Sequence, residues 1–266
     1  MRILLFSGSH SRHYFLLQGI VENFEVCGVV HMEREQLIPE PPLGIPEIDR
    51  TNFIRHFKER HEAELKYFGD VRAQDVFSGI PIHYCNLPTF NTEETCNFVR
   101  AQKPDLVFIF GAGLIKEPLM SVLPYDKVNV HLGFSPWYRG SATFFWPFYN
   151  MEPHWTATTF HQIVPEIDGG PVIHHTRTEF REGDGIHDIG ARTVVDSRND
   201  AIALLKLREQ RAFVEVPQKT HGRLYLSKHF RPEHLRVIYN TFDNTMVDAY
   251  LRGELSRHEP KLVRAF

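Results

Sequence analysis

A chain of 266 residues with 42% hydrophobic and 24% charged residues has the composition of an ordinary globular protein, which argues against extended disorder. Its 30 Lys and Arg residues against 33 Asp and Glu residues give a net charge of −3, which disfavours a strongly basic duplex-binding protein. The length favours one large domain, or one domain with an appendage.

The three cysteines (Cys27, Cys85 and Cys96) are odd in number and form no CxxC motif. This disfavours a disulfide framework or a cysteine zinc site and fits a reducing compartment. The apolar N-terminal run is too short for a signal peptide, and residues 106–115 are too few for the roughly 20 that span a bilayer. We therefore expect a cytoplasmic protein without a membrane partner.

The N-terminal half repeats the pattern of an apolar strand, a turn and a helix. Such repeated βαβ units predict an α/β fold with a doubly wound, mostly parallel sheet and helices on both faces. The predicted strands are residues 2–6, 24–30, 80–84, 106–110 and 128–130, and the predicted helices are the amphipathic stretch after Gly8 and residues 93–101.

Residues 33–79 form an insertion in this pattern. A Pro/Gly-rich loop is followed by a long helical pattern after Asp49. A solvated helix packed on the domain edge is the simplest interpretation, and a lid or a dimer contact is the alternative.

The pattern changes again after Val172, because residues 186–213 are mostly helical. We predict a catalytic domain over residues 1–215 and a small helical C-terminal extension over residues 216–266. From Pro217 onward, nine Lys or Arg and five Asp or Glu residues give a charge of +4, on which an RNA-binding role could rest.

Several common site motifs are missing from the sequence. It contains no GxGxxG, GxxxxGK[ST], GxSxG or HExxH motif, and residues 8–11 are interpreted as a plain turn. His174 and His175 are adjacent in a predicted strand, so their side chains point to opposite faces and make a poor chelate.

Polar residues follow the apolar strand at residues 128–130. Asn129 and His131 are two apart and point the same way, at the carboxyl end of a strand, where open α/β sheets bind ligands. Asp168 lies in a loop whose paired glycines would let the backbone approach a ligand. An Asn donor, a His proton acceptor and an orienting Asp suit acyl-group chemistry. A satisfied polar cluster at a strand end is the alternative.

Three ordered motifs between residues 100 and 175 resemble those of the formyltransferase family that uses 10-formyltetrahydrofolate. Asn129 and His131 match N-x-H, residues 136–140 (PWYRG) match P-x-Y-R-G, and residues 167–171 (IDGGP) match I-D-x-G-P. Residues 159–162 (TFHQ) lie where the family has T-[IL]-H, and residues 111–115 (GAGLI) resemble its folate-contacting loop.

The resemblance implies a Rossmann-like core, 10-formyltetrahydrofolate as co-substrate and no metal. Asn129 would donate to the developing oxyanion, His131 would accept the amine proton, and Asp168 would orient His131. The other site residues that it implies are Gly111, Gly113, Leu114, Ile115, Val164 and Glu166 for the cofactor and Trp137, Tyr138 and Arg139 for the substrate.

In size and layout the chain is closest to the sugar-nucleotide N-formyltransferases, which implies a nucleotide-linked amino sugar for cell-surface polysaccharide as acceptor. It lacks the G-x-G-S-N turn of the glycinamide ribonucleotide enzymes and is shorter after Val172 than the methionyl-tRNA enzymes. Another amine (glycinamide ribonucleotide, hydroxyornithine, an amino acid or methionyl-tRNA) and a non-catalytic folate- or nucleotide-binding protein are the alternatives. We expect small-molecule substrates and no nucleic acid, and a homodimer is left open.

Overall fold

The fold is built on a seven-stranded sheet in the order β3-β2-β1-β4-β5-β7-β8. The computed structural model describes residues 1–33, 38–219 and 222–266. Neighbouring strands from β3 to β5 pair in parallel, and β7 and β8 are added antiparallel. The strands are β1 (Ile3–Ser7), β2 (Val26–Met32), β3 (Ile82–Cys85), β4 (Leu106–Phe110), β5 (Asp126–His131), β6 (Tyr138–Gly140), β7 (Thr158–Gln162), β8 (Val172–Thr176) and β9 (Arg223–Tyr225).

Helices cover both faces of the sheet, so the predicted doubly wound, mostly parallel α/β fold is confirmed. The α-helices are α1 (Ser11–Val21), α2 (Glu47–Phe68), α3 (Ala73–Val76), α4 (Glu93–Gln102), α5 (Leu119–Val122), α6 (Phe145–Tyr149), α7 (Ile186–Gln210) and α8 (Met246–Leu251). In the described ranges, no helix is both long and apolar enough to cross a membrane.

The alternation of side chains along β1 divides the core between the two faces. Ile3 and Leu5 pack in one cluster with Leu16 and Leu17 of α1 and with the apolar side of α7. Leu4 and Phe6 pack in another, which includes Cys96 and Val99 of α4. All five residues of β1 are buried, which is why the strand is a continuous apolar run in the sequence.

Helix α2 of the insertion packs against the C-terminal extension. Asp49 accepts two hydrogen bonds of 2.6 Å from Arg236, and Asn52 donates to Asn240 at 2.7 Å. A third apolar cluster joins Phe53 of α2 to the extension and to α6. The insertion and the extension therefore share one core. Residues 34–37 of the predicted insertion lie outside the described residues.

The C-terminal extension is less helical than predicted. It contains α8, two three-residue 3-10 turns and one π turn (Val237–Thr241), and its strand β9 pairs in parallel with β6. Residues 220 and 221 of the extension lie outside the described part of the chain. The proposed boundary at residue 215 stays a prediction.

The last described residues lie along β8 and fix its two histidines. The Val263 N–H donates to His175 Nδ1 at 2.9 Å, and the Ala265 N–H donates to His174 Nδ1 at 3.1 Å. His175 Nε2 then donates to the carbonyl of Ser135 at 3.1 Å. Both ring nitrogens of His175 are satisfied only in the neutral form, and burial lowers its pKa to about 3.

The free energy of unfolding is expected to fall between pH 7 and pH 5, because unfolded His175, with a pKa of 6.5, takes up a proton that the folded chain resists. The variant His175→Gln keeps a donor and an acceptor but does not titrate. Between pH 7 and pH 5, the free energy of unfolding of this variant should fall by about 2 kcal/mol less than that of the wild type, as measured by urea unfolding at both pH values. Equal falls would contradict this role of His175, since the other histidines contribute to both proteins alike.

Candidate active site

A cavity of about 790 Å³ lies at the carboxyl ends of β4 and β5. The chain turns away from β4 at Gly111, whose φ of +83° is in the left-handed region that favours glycine. A Cβ atom there would lie 2.2 Å from His13 Nε2, so no larger residue fits between this turn and α1. The backbone after β4 therefore forms one edge of the cavity, at the end of the sheet where open α/β folds bind their ligands.

Strand β5 directs Asn129 and His131 into the cavity, while Val128 and Val130 point into the apolar core. The antiparallel strand β7 places His161 directly opposite Asn129. The Asn129 Nδ2 atom lies 3.1 Å from His161 Nε2. An amide side chain and two imidazoles thus meet on one face of the sheet.

Asp168 comes from the loop between β7 and β8 and completes this group. Its Oδ2 atom accepts a hydrogen bond of 2.8 Å from the Gly140 N–H and lies 3.3 Å from His131 Nδ1. Its Oδ1 atom lies 3.4 Å from His161 Nε2. The structure therefore brings Asn129, His131 and Asp168, which are 39 positions apart in the sequence at most, to one wall of the cavity.

The backbone contacts of the two imidazoles fix where their protons lie. His131 Nε2 is 2.8 Å from the carbonyl of Tyr138, and His161 Nδ1 is 2.8 Å from the carbonyl of Gln162. Because a carbonyl only accepts, both of these nitrogens carry a proton. In the neutral rings the remaining nitrogens, which face Asp168, are then lone-pair acceptors.

At neutral pH the His131 ring is uncharged and Asp168 is an ionised carboxylate. Burial lowers the pKa of His131, and the carboxylate of Asp168 offsets this only in part, so His131 is neutral. Burial acts to raise the pKa of Asp168, but His131 and His161 favour the carboxylate whenever their rings are protonated, and the Gly140 N–H donates to it, so this pKa lies well below the ordinary value. A proton that reaches this cluster finds two imidazole lone pairs beside a carboxylate.

Sequence reasoning placed His161 in a motif but gave it no role in the site. The signal that was available is the T-x-H spacing, since Thr159 and His161 face the same way along β7. Thr159 donates to the carbonyl of Gly133 at 2.6 Å and accepts from the Ser135 N–H at 3.0 Å, which fixes the chain after β5. The pairing of β7 with β5 could not be read from the sequence.

All of the residues predicted to contact the cofactor line the cavity. They lie on the loop after β4 and on the loop after β7: Gly111, Gly113, Leu114, Ile115, Val164 and Glu166.

The paired glycines after Asp168 have a different role from the one expected. A Cβ atom on Gly170 would lie 1.8 Å from the carbonyl of Gln162, and one on Gly169 would lie 2.8 Å from Glu166. These glycines let the loop approach the protein itself, which holds Asp168 in place.

The three residues predicted to bind the substrate lie elsewhere. Within the described residues, Trp137, Tyr138 and Arg139 do not line the cavity. Trp137 stacks on Phe134 with ring centroids 4.9 Å apart, and Tyr138 is buried in the core shared with the extension. Arg139 is buried and donates to Glu166 at 2.7 Å. Their positions give them packing and loop-holding roles instead.

Methionyl-tRNA formyltransferases are among the curated proteins that match the sequence, while no protein-family model does. The Trichlorobacter lovleyi enzyme is 31% identical over 115 residues, which are 43% of this chain and 35% of that enzyme. The Thermotoga maritima enzyme is 22% identical over 242 residues, which are 90% of this chain and 68% of that enzyme. The matched part thus spans about a third of the first relative and two thirds of the second.

Solved structures of formyltransferases share the fold. A sugar N-formyltransferase from Shewanella has a TM-score of 0.58 at 13% identity, covering 90% of this chain and 87% of that one. A phosphoribosylglycinamide formyltransferase from Streptococcus pneumoniae has a TM-score of 0.55 at 17% identity, covering 78% and 98%. The Anoxybacillus kamchatkensis formyltransferase PseJ, in complex with UDP-4,6-dideoxy-4-formamido-L-AltNAc and tetrahydrofolate, has a TM-score of 0.51 at 13% identity, covering 92% and 96%. The chain therefore has the fold of these formyltransferases and is similar in sequence to methionyl-tRNA formyltransferases.

Proposed function

We propose that this protein transfers a formyl group from 10-formyltetrahydrofolate to the primary amine of a nucleotide-linked amino sugar. The observation that carries the proposal is the convergence of Asn129, His131 and Asp168 on one wall of the cavity. An amide donor, an imidazole with a free lone pair and a carboxylate are the groups that formyl transfer to an amine needs.

The donor half of the cavity suits the flat ring system of a folate. Its walls are the backbone of residues 111–115 and the apolar side chains of Leu87, Ile163 and Val164. Bound there, 10-formyltetrahydrofolate would supply the formyl carbon that the amine attacks. These loops would hold it, with Glu166 kept in place by Arg139.

The three side chains would stabilise the developing negative charge and accept one proton from the amine. Asn129 Nδ2 uses one N–H on His161 and keeps a second for the oxygen that becomes negative as the amine attacks. The amine must lose a proton as the new C–N bond forms. His131 Nδ1, beside the Asp168 carboxylate, would accept it directly or through a water, and the imidazolium would then be stabilised by Asp168 and the Tyr138 carbonyl. The bond between the formyl carbon and N10 of the donor would break next, and the imidazolium would return its proton to N10, so that tetrahydrofolate leaves and His131 is neutral again.

The relatives support the sugar acceptor and also a second candidate. PseJ is described with a UDP-linked formamido sugar, and the Shewanella protein is described as a sugar N-formyltransferase. The two sequence relatives described above, in contrast, are methionyl-tRNA formyltransferases, which makes methionyl-tRNA the second candidate acceptor. The match to the first of these enzymes covers 35% of its length.

The test is a formylation assay with the purified chain, 10-formyltetrahydrofolate and a panel of amines, with products identified by mass spectrometry. The panel contains UDP- and dTDP-linked amino sugars, glycinamide ribonucleotide, hydroxyornithine, free amino acids and methionyl-tRNA. We expect formylation of a nucleotide-linked amino sugar. Formylation of a different amine would keep the reaction and replace the acceptor, and no formylation of any amine would overturn the proposal.

A further inference from the structure

One half of the cavity faces away from the loops at residues 111–115 and 163–166. It is built from segments to which the sequence analysis assigned no function. Helix α2 contributes His56, Phe57 and Arg60, and the extension contributes Tyr225 and Phe230. His187, in the first turn of α7, lies between them. These six residues are called the distal wall below.

Aromatic rings make the distal wall apolar and rigid. The Phe57 and Phe230 rings meet edge to face, with centroids 6.4 Å apart, and Phe230 meets Phe145 in the same way at 4.9 Å. Rings that are fixed by such contacts give a bound ring a large contact area at little cost in side-chain entropy. This half of the cavity therefore fits a ligand that carries a planar ring.

Two guanidinium groups line the cavity on this side. Arg12 forms an ion pair with Glu64, which also lines the cavity, and Arg60 extends from α2. The Arg60 guanidinium also lies 4.6 Å from the centroid of the Phe57 ring. A guanidinium in such partly apolar surroundings attracts an anion more strongly than it would in water, and its planar fork matches a phosphate.

A buried imidazole of this wall keeps one ring nitrogen for a ligand. His56 is only 6% exposed, and its Nδ1 atom lies 3.0 Å from the Tyr239 hydroxyl. The hydrogen bond to Tyr239 leaves its Nε2 atom for a ligand, since His56 lines the cavity. Burial, His187 and the charge of Arg60 all lower the pKa of His56, so the ring is neutral and offers a hydrogen bond but no charge.

We infer that the distal wall is the subsite for the part of the acceptor remote from its amine, and that it takes a nucleoside diphosphate, with Arg60 on a phosphate and His56 in a hydrogen bond. The inference rests on the proposed function, since it concerns the acceptor of that reaction. It assigns acceptor specificity to α2 and the extension, and it replaces the predicted substrate residues Trp137, Tyr138 and Arg139. The chemistry that fits is a ring for the aromatic side chains and an anion for the guanidinium.

The test is the binding of UDP, dTDP and GDP, measured by isothermal titration calorimetry on wild-type protein and on two variants of α2. Arg60→Gln removes the proposed phosphate contact. Lys58→Gln is the matched control, because Lys58 is on the same helix but is 69% exposed and outside the cavity lining. Binding of 5-formyltetrahydrofolate is measured on the same samples.

At least one nucleoside diphosphate should bind the wild type and the Lys58→Gln variant equally. Arg60→Gln should weaken it about 10- to 100-fold, as expected for one hydrogen bond to a charged group, and should leave folate binding unchanged. If Arg60→Gln unfolds, Arg60→Lys takes its place, because it keeps the charge and loses the planar fork, and it should still weaken nucleotide binding several-fold.

Two outcomes would overturn the inference while the proposed function survives. One is folate binding without binding of any nucleoside diphosphate, and the other is equal nucleotide affinity in the wild type and the Arg60 variant. If the wild-type protein did not bind 5-formyltetrahydrofolate, that result would instead contradict the proposed function itself. The two failures are therefore distinguishable in one set of titrations.

Discussion

Replacing Asp168 with asparagine is expected to lower kcat for formyl transfer by about 10²–10⁴, the usual range for losing a group that assists proton transfer. Asparagine has the same shape and tolerates the φ of +47° that residue 168 adopts, so the loop should keep its conformation. What is lost is the negative charge beside His131 Nδ1 and His161 Nε2. Steady-state kinetics with the acceptor identified in the amine panel measure the effect.

The matched control for this variant is Asp200→Asn. Asp200 also contacts a buried histidine, His174, at 3.1 Å, but it lies outside the cavity lining, so kcat should stay near the wild-type value. The pH profile gives a second readout. Activity requires neutral His131, so it falls as the pH drops through the His131 pKa, and without the carboxylate that raises this pKa the fall should move to lower pH. A kcat for Asp168→Asn within a few-fold of the wild type would refute the role of Asp168.

Replacing Asn129 with alanine is expected to lower kcat by about 10²–10³, the usual cost of one donor to a developing oxyanion. The KM for both substrates should change little, because the contact forms mainly in the transition state. The fold should survive, since Asn129 is only half-buried and its neighbours Val128 and Val130 keep β5 in the core. Thermal unfolding and steady-state kinetics test both statements.

A second variant at this position separates the lost donor from the lost volume. Asn129→Asp has the same size but no N–H, so its kcat should be at least as low as that of Asn129→Ala. If Asn129→Asp kept a normal kcat, the side chain would act by its shape and not as a donor. An Asn129→Ala variant with a normal kcat and a higher KM would assign Asn129 to substrate binding alone.

The location of the site follows from short-range patterns that the sequence displays directly. Strand β4 coincides with the predicted residues 106–110, because a strand buried on both faces is a continuous apolar run. Asn129 and His131 point the same way because side chains in a strand alternate with a period of two. The predicted folate loops line the cavity because both follow strands at its edge.

Other features of the site depend on pairings that no local pattern encodes. His161 reaches Asn129 only because β7 turns back antiparallel to β5, and the sequence does not state the direction of a strand. The resemblance to P-x-Y-R-G predicts Trp137 and Tyr138 on the substrate side. They lie outside the cavity lining, in a core completed by residues about 90 to 110 positions further on, and no local pattern encodes that packing.

By itself, then, the sequence determined the doubly wound sheet, the end of the sheet that carries the candidate site, and the amide, imidazole and carboxylate that this candidate site contains. The tertiary structure decided that His161 joins them, that Asp168 is held by Gly140, and that α2 and the extension meet to form the far side of the cavity. The physical reason is the separation in sequence of the residues involved. Side-chain alternation and apolar runs involve residues that are close in sequence. Contacts such as Asp49 with Arg236 join positions 187 residues apart, and they form only when the whole chain has folded.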